Sequence, residues 1–364
     1  MKMDEMEFWE EYDRKTIFLE EFRENRKMPE KEQWEAIYPY TKDSVSDLRC
    51  DAAEVLGMRC NEQDEERLRQ MTYDKDMMVN VTAVEALEWG CQEKTLKRLY
   101  ELMRTGGKMT RGYAVDSFLC VWINRYGYTK SSVKKCWRKM EKIYKKEEAD
   151  WVRVFYEKAR YLCGNREGLT GIERILSTMQ ESYHLCNHQS MAFSQFKNLR
   201  TVFNEQEINH RIEKSLVYVK DSWGVKKSMR EFIEEKEKPG VLFVDRKNEA
   251  LSQMLDYLST EMEDEMWRES AGLYPAETIR NEVVKKLQEE ERMKQYYYPK
   301  KIRSVWMYDF IVPIGIRLKP EDYPFQRIVP LFEDVGENML DVEQAKRMLE
   351  ELRDYIYAEM NHEE

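Results

Sequence analysis

Three alanines, Ala52, Ala83 and Ala114, stand at intervals of 31 residues. Each sits in the same frame: Leu48, Ala52, Val55-Leu56-Gly57; then Val79, Ala83, Ala86-Leu87; then Thr110, Ala114, Ser117-Phe118. Offsets of four and then three place each set on one helix face. A fixed period of this length requires one supersecondary unit per repeat, because a lone unit cannot bury its apolar side. A helical hairpin satisfies it. The small alanine lets an inner helix approach its neighbours, and the flanking apolar residues fill a shared core. Glu65–Met71, Lys94–Met103 and Ser131–Tyr144 supply outer helices, and Trp151–Leu162 continues the series after a longer spacer.

The spacing, with Asp74-Lys75-Asp76 in the turn before Val79, resembles HEAT repeats. Beyond Gly171 the period blurs, yet Ile172–Met179, Met191–Leu199, Glu205–Val219 and Val225–Glu235 keep helical patterning. Residues 41–236 are therefore read as HEAT-like helical repeats. Residues 1–40, charged with regularly placed aromatics such as Trp9, Phe18 and Trp34, are read as capping helices.

The charged run Glu234–Pro239 ends in Pro-Gly, so residues 237–240 read as a linker. Val241–Val244 is an apolar run suited to a strand buried on both faces. A polar loop follows, then a helix near Ala250–Met262 and another near Ala276–Glu291. Phe310–Ile316 and Arg327–Leu331 read as strands and Asp341–Met360 as a closing helix. Strands alternating with helices imply a parallel sheet. The expected fold is two-domain: an all-α HEAT-like solenoid, then a small α/β three-layer domain with a parallel sheet over 241–364.

Strand, tight loop and helix N-terminus make an oxyanion cradle. The stretch Gly240–Leu258 resembles the phosphate loop of the low-molecular-weight protein-tyrosine phosphatases and thioredoxin-coupled arsenate reductases. Asn248, Ser252 and Gln253-Met254 fit that pattern, as do Ser270-Ala271-Gly272, Pro275-Ala276, Tyr308–Val312 with Gly315, and Phe332-Glu333-Asp334. The resemblance covers about the last third of the chain and implies that family's fold. Two positions depart from it: Asp245 stands in place of the nucleophilic Cys, and Leu251 in place of the oxyanion-binding Arg. An aspartate there places negative charge where the oxyanion would sit, and can accept the loop's own N–H groups as an internal stand-in. Catalysis by phosphoryl or arsenate chemistry is therefore not expected, Asp334 being a remnant of the family's acid. Asp245, Arg246, Lys247, Asn248 and Ser252 define the candidate oxyanion loop.

Two other constellations compete. His184, Cys186 and His188 cannot converge from one helix, since Cys186 points away from the histidines, so no metal is expected. Lys134, Lys135, Trp137, Arg138 and Lys139 form a possible nucleic-acid patch, but Val133, Trp137, Met140 and Tyr144 also make the apolar stripe of an outer helix. A formal net charge of −10 disfavours a general nucleic-acid or anionic-membrane surface. The seven cysteines lack a CxxC pair, no apolar run approaches membrane-spanning length, and a cytoplasmic protein without cofactor is expected. The favoured function is a non-catalytic interaction or regulatory protein with another protein as partner. The alternatives are an oxyanion-binding or residual phosphatase/arsenate-reductase-like enzyme, and nucleic-acid binding through the helical array.

Overall fold

A computed structural model of the chain describes residues 5–24, 34–179, 185–219, 224–276, 278–289, 301–303, 305–336 and 341–361. The chain divides into two units, Met1–Arg125, and Tyr126–Arg292 with Tyr298–Glu364.

In the first unit, α1 (Glu5–Glu24) precedes α2 (Ser46–Arg59), α3 (Glu62–Met71), α4 (Met77–Ala86), α5 (Glu93–Thr105) and α6 (Lys108–Tyr126). Ala52, Ala83 and Ala114 lie on α2, α4 and α6 and are fully buried. The local signals explain the breaks between helices. Cys60 closes α2 in the left-handed region at φ +44°, and Asn61 with Asp64 forms a reciprocal capping box at the start of α3. Asp76 caps α4 by accepting from the Met78 and Val79 N–H groups. Polar ties then join successive hairpins. Arg49 forks onto Asp74 at 2.8 and 3.0 Å, Arg98 reaches Thr72, and Glu65 accepts from Cys91 and Gln92 N–H. Trp34, Tyr38 and Leu19, from the aromatic opening segment, are buried.

The second unit begins with α7 (Lys130–Tyr144), α8 (Asp150–Leu162), α9 (Glu167–Thr178), α10 (Leu185–Lys197), α11 (Glu205–Ser215) and α12 (Val225–Glu234). Then follow β1 (Gly240–Asp245), α13 (Leu251–Leu258), β2 (Trp267–Gly272), α14 (Asn281–Glu289), β3 (Phe310–Pro313), β4 (Arg327–Ile328) and α15 (Val342–Asn361). The four strands pair in parallel in the order β2-β1-β3-β4. The chain is thus mostly helical with a small parallel sheet toward its end. The charged run before the sheet is tied within its length at Glu237, and the strand that follows is tied at its first residue. Arg200 Nε meets the Glu237 carboxylate at 2.6 Å, and Gly240 N–H donates to Asp309 at 2.8 Å. Phe203 packs its ring on Phe310 of β3, so the helical segment and the sheet share a core within this unit.

Three expectations need correction. The strand expected over Phe310–Ile316 ends at Pro313, because Gly315 turns the chain at φ +62°. β4 spans only Arg327–Ile328, and β2 was not expected as a strand. Among the described residues no helix is long and apolar enough to cross a membrane.

Candidate functional site

β1 delivers Asp245 to the carboxyl end of the sheet, at the point where the strand order reverses between β1 and β3. Open α/β sheets hold ligands in the crevice outside such a switch point. The loop after β1 is therefore where this sheet would bind one.

That loop closes on its own carboxylate. Asp245 Oδ1 accepts the Lys247 N–H at 2.9 Å and also the Asn248 N–H. Its Oδ2 accepts the Ser252 hydroxyl at 2.5 Å and, more loosely, the Ser252 N–H at 3.4 Å. Asn248 takes the left-handed conformation at φ +53°, which asparagine tolerates better than most residues. Its Nδ2 donates to Ser252 Oγ at 3.0 Å, while Gln253 Nε2 donates to Asn248 Oδ1 at 2.8 Å. Asp245, Asn248, Ser252 and Gln253 are all buried. Burial pushes the Asp245 carboxyl above its usual range, against the Ser252 hydroxyl and the loop N–H groups, which favour the anion.

The segment after β2 lies along the loop and was not foreseen from sequence. Tyr274 and Ala276 N–H donate to the carbonyls of Arg246 and Lys247, each at 2.8 Å, and Arg280 N–H donates to that of Glu249 at 3.0 Å. The Arg280 guanidinium also holds the Glu249 carboxylate at 2.7 Å. Gly272 makes this approach possible, since a Cβ there would stand 2.8 Å from the Lys247 carbonyl carbon and 2.9 Å from the Asn248 nitrogen. The sequence signals were Ser270-Ala271-Gly272, whose glycine is explained by close backbone approach, and Pro275-Ala276.

The remaining expected residues are placed as follows. Arg246 and Lys247 are exposed, with the Lys247 ammonium 3.5 Å from Glu249. Leu251 is wholly buried as the first residue of α13, a helix buried along its whole length. Asp334 is exposed and pairs with Arg317 at 3.1 Å. On α7, Lys134, Lys135, Arg138 and Lys139 are exposed, Trp137 is half-buried, and Val133 and Met140 are buried. His184 and the side chains of Cys186 and His188 lie outside the described residues. Among the described residues no group of three or more His, Cys, Asp or Glu is placed to hold a metal ion.

No family model matches the chain, and no curated protein matches it. Among solved structures, the thioredoxin-dependent arsenate reductase of Corynebacterium glutamicum matches at 14% identity and a TM-score of 0.27. The match covers 64% of this chain and 98% of that one. So slight a likeness carries no argument about the site.

Proposed function

We propose that the chain is a non-catalytic interaction protein, in which a HEAT-like helical scaffold presents a partner surface and the α/β part is a pseudophosphatase module. The observation that supports this reading is the Asp245 carboxylate among the N–H groups of Lys247, Asn248 and Ser252. Those are donors of the kind an oxyanion loop offers. A carboxylate tethered beside them is present at an effective concentration no dissolved anion reaches. It also repels a second negative charge. Asp245 lacks the low-pKa thiolate that attacks phosphorus or arsenic, and Leu251 contributes no charge-assisted fork.

The test is paired. Hydrolysis of an aryl phosphate by the full chain should stay at the buffer rate, and phosphate, sulfate or arsenate at tens of millimolar should leave the thermal midpoint where it is. Turnover that disappears in Asp245→Ala would overturn the reading.

A further inference from the structure

Every exposed residue from Lys130 to Lys146 except Ser131 is a lysine or an arginine. The stretch is α7 and the turn that ends it. Packing explains the inner side of the helix, where Val133, Cys136 and Met140 are buried. It does not explain the outer side. Eight cations stand in this stretch against one carboxylate, Glu141, a net charge of +7 in a chain whose formal net charge is −10. Lys145 pairs with Glu141 at 3.2 Å, and Lys139 has contacts of its own. Lys130, Lys134, Lys135, Arg138 and Lys142 make no ion pair among the described residues. Scarcity of carboxylates is not the reason, since acidic side chains outnumber basic ones by 70 to 60.

The arrangement works against the helix itself. Lys130, Lys134, Arg138 and Lys142 follow one another at steps of four, and like charges at that spacing repel. Lys130 opens the helix, and no acidic residue lies in its first turn, where the helix dipole favours one. Folding gains nothing from this pattern, and an anion brought from outside would relieve it.

We infer that the outer side of α7 docks a short acidic segment of a partner protein, with Asp or Glu side chains along the row of unpaired cations. The inference rests on the interaction-protein reading and supplies its partner chemistry. Charge complementarity selects the sign. Size selects a short segment over nucleic acid. The fifteen residues of α7 extend about 22 Å at 1.5 Å each, a length that about seven residues of extended chain span. A duplex carries its charge well past that length. Glu147, Glu148 and Asp150 follow the row directly, in a chain that is acidic apart from it, so a longer polyanion meets repulsion. Nor does the row present an exposed aromatic ring on which a base could stack.

Alternate residues of an extended chain share a face about 6.6 Å apart, close to the roughly 6 Å between helix positions four apart. The probe is therefore a fluorescent peptide of about eight residues alternating Glu and Ser, whose four carboxylates match Lys130, Lys134, Arg138 and Lys142. Anisotropy compares it with a Lys-Ser peptide, a thymidine oligonucleotide of four phosphates and a duplex of about 20 base pairs. The full chain should bind the Glu-Ser peptide best and lose it as salt rises. Lys134→Gln/Lys135→Gln/Arg138→Gln/Lys142→Gln should weaken it at least about tenfold. Lys214→Gln/Lys227→Gln/Arg230→Gln/Lys236→Gln, the same change of charge at exposed positions of the same unit, should leave it intact. Lys134→Arg/Lys135→Arg/Lys142→Arg keeps the charge and should keep the binding. Should the first variant not fold, Lys134→Gln/Lys142→Gln reads the same loss at about threefold. Equal losses in the two charge-matched variants, tighter binding of either nucleic acid, or no peptide binding at low salt would overturn the inference. None of those outcomes bears on Asp245, whose reading stands or falls on anion response and turnover.

Discussion

Asp309 shows how a single buried carboxyl couples the sheet to pH. It accepts N–H groups from Gly240 and Val202, and it feels the charge of Glu237, which is itself paired with Arg200. Burial foremost, with the Glu237 charge adding to it, pushes its carboxyl up to about 7, well above the ordinary 3.8. Its folded-state affinity for the proton is thus higher than in the unfolded chain. The stabilisation is full below 3.8 and is lost as pH rises through about 7. Urea denaturation of Asp309→Asn beside wild type should show the variant gaining relative stability between pH 4 and 8, by roughly 1–4 kcal/mol. Parallel pH profiles would refute the assignment. Gly272 is the second residue with a sharp expectation. Gly272→Ala puts a Cβ against loop backbone and should cost about 1–3 kcal/mol, whereas Gly107→Ala, with open space around it, should cost little.

At the scale of elements, the helices were legible where their chemistry is local. The Asp74-Lys75-Asp76 turn illustrates it: Asp74 receives Arg49 from the preceding hairpin, and Asp76 caps α4. Asp76→Ala should lower the unfolding free energy by about 1 kcal/mol, read from the denaturation midpoint, and no change would show that the cap is idle. β1 and β3 were legible as apolar runs, and their burial on both faces explains why. β2 was not legible, because an edge strand carries charges that break the pattern. Arg268 is satisfied by Ser259 and Glu269 by the Tyr308 hydroxyl, partners that no local window contains. Asp245 and Ser252 were legible as the residues that flank the loop from strand-loop-helix order. The segment Leu273–Arg280 along the loop was not, since its backbone hydrogen bonds depend on the register of β2 against β1.

For the whole molecule, the period of 31 residues organises the first unit, while the second is organised by the sheet and the helices that share its core. The self-satisfied loop belongs to the second. The central claim is that Asp245 serves the loop as its own anion, and replacing it tests this most directly. In the full chain, Asp245→Ala should lower the thermal midpoint, because removing an acceptor of several buried donors costs roughly 3–5 kcal/mol. Phosphate should then restore the variant's midpoint in a dose-dependent way, while wild type ignores it. If phosphate raises the wild-type midpoint, or the variant loses no stability and ignores phosphate, the carboxylate is not standing in for an oxyanion.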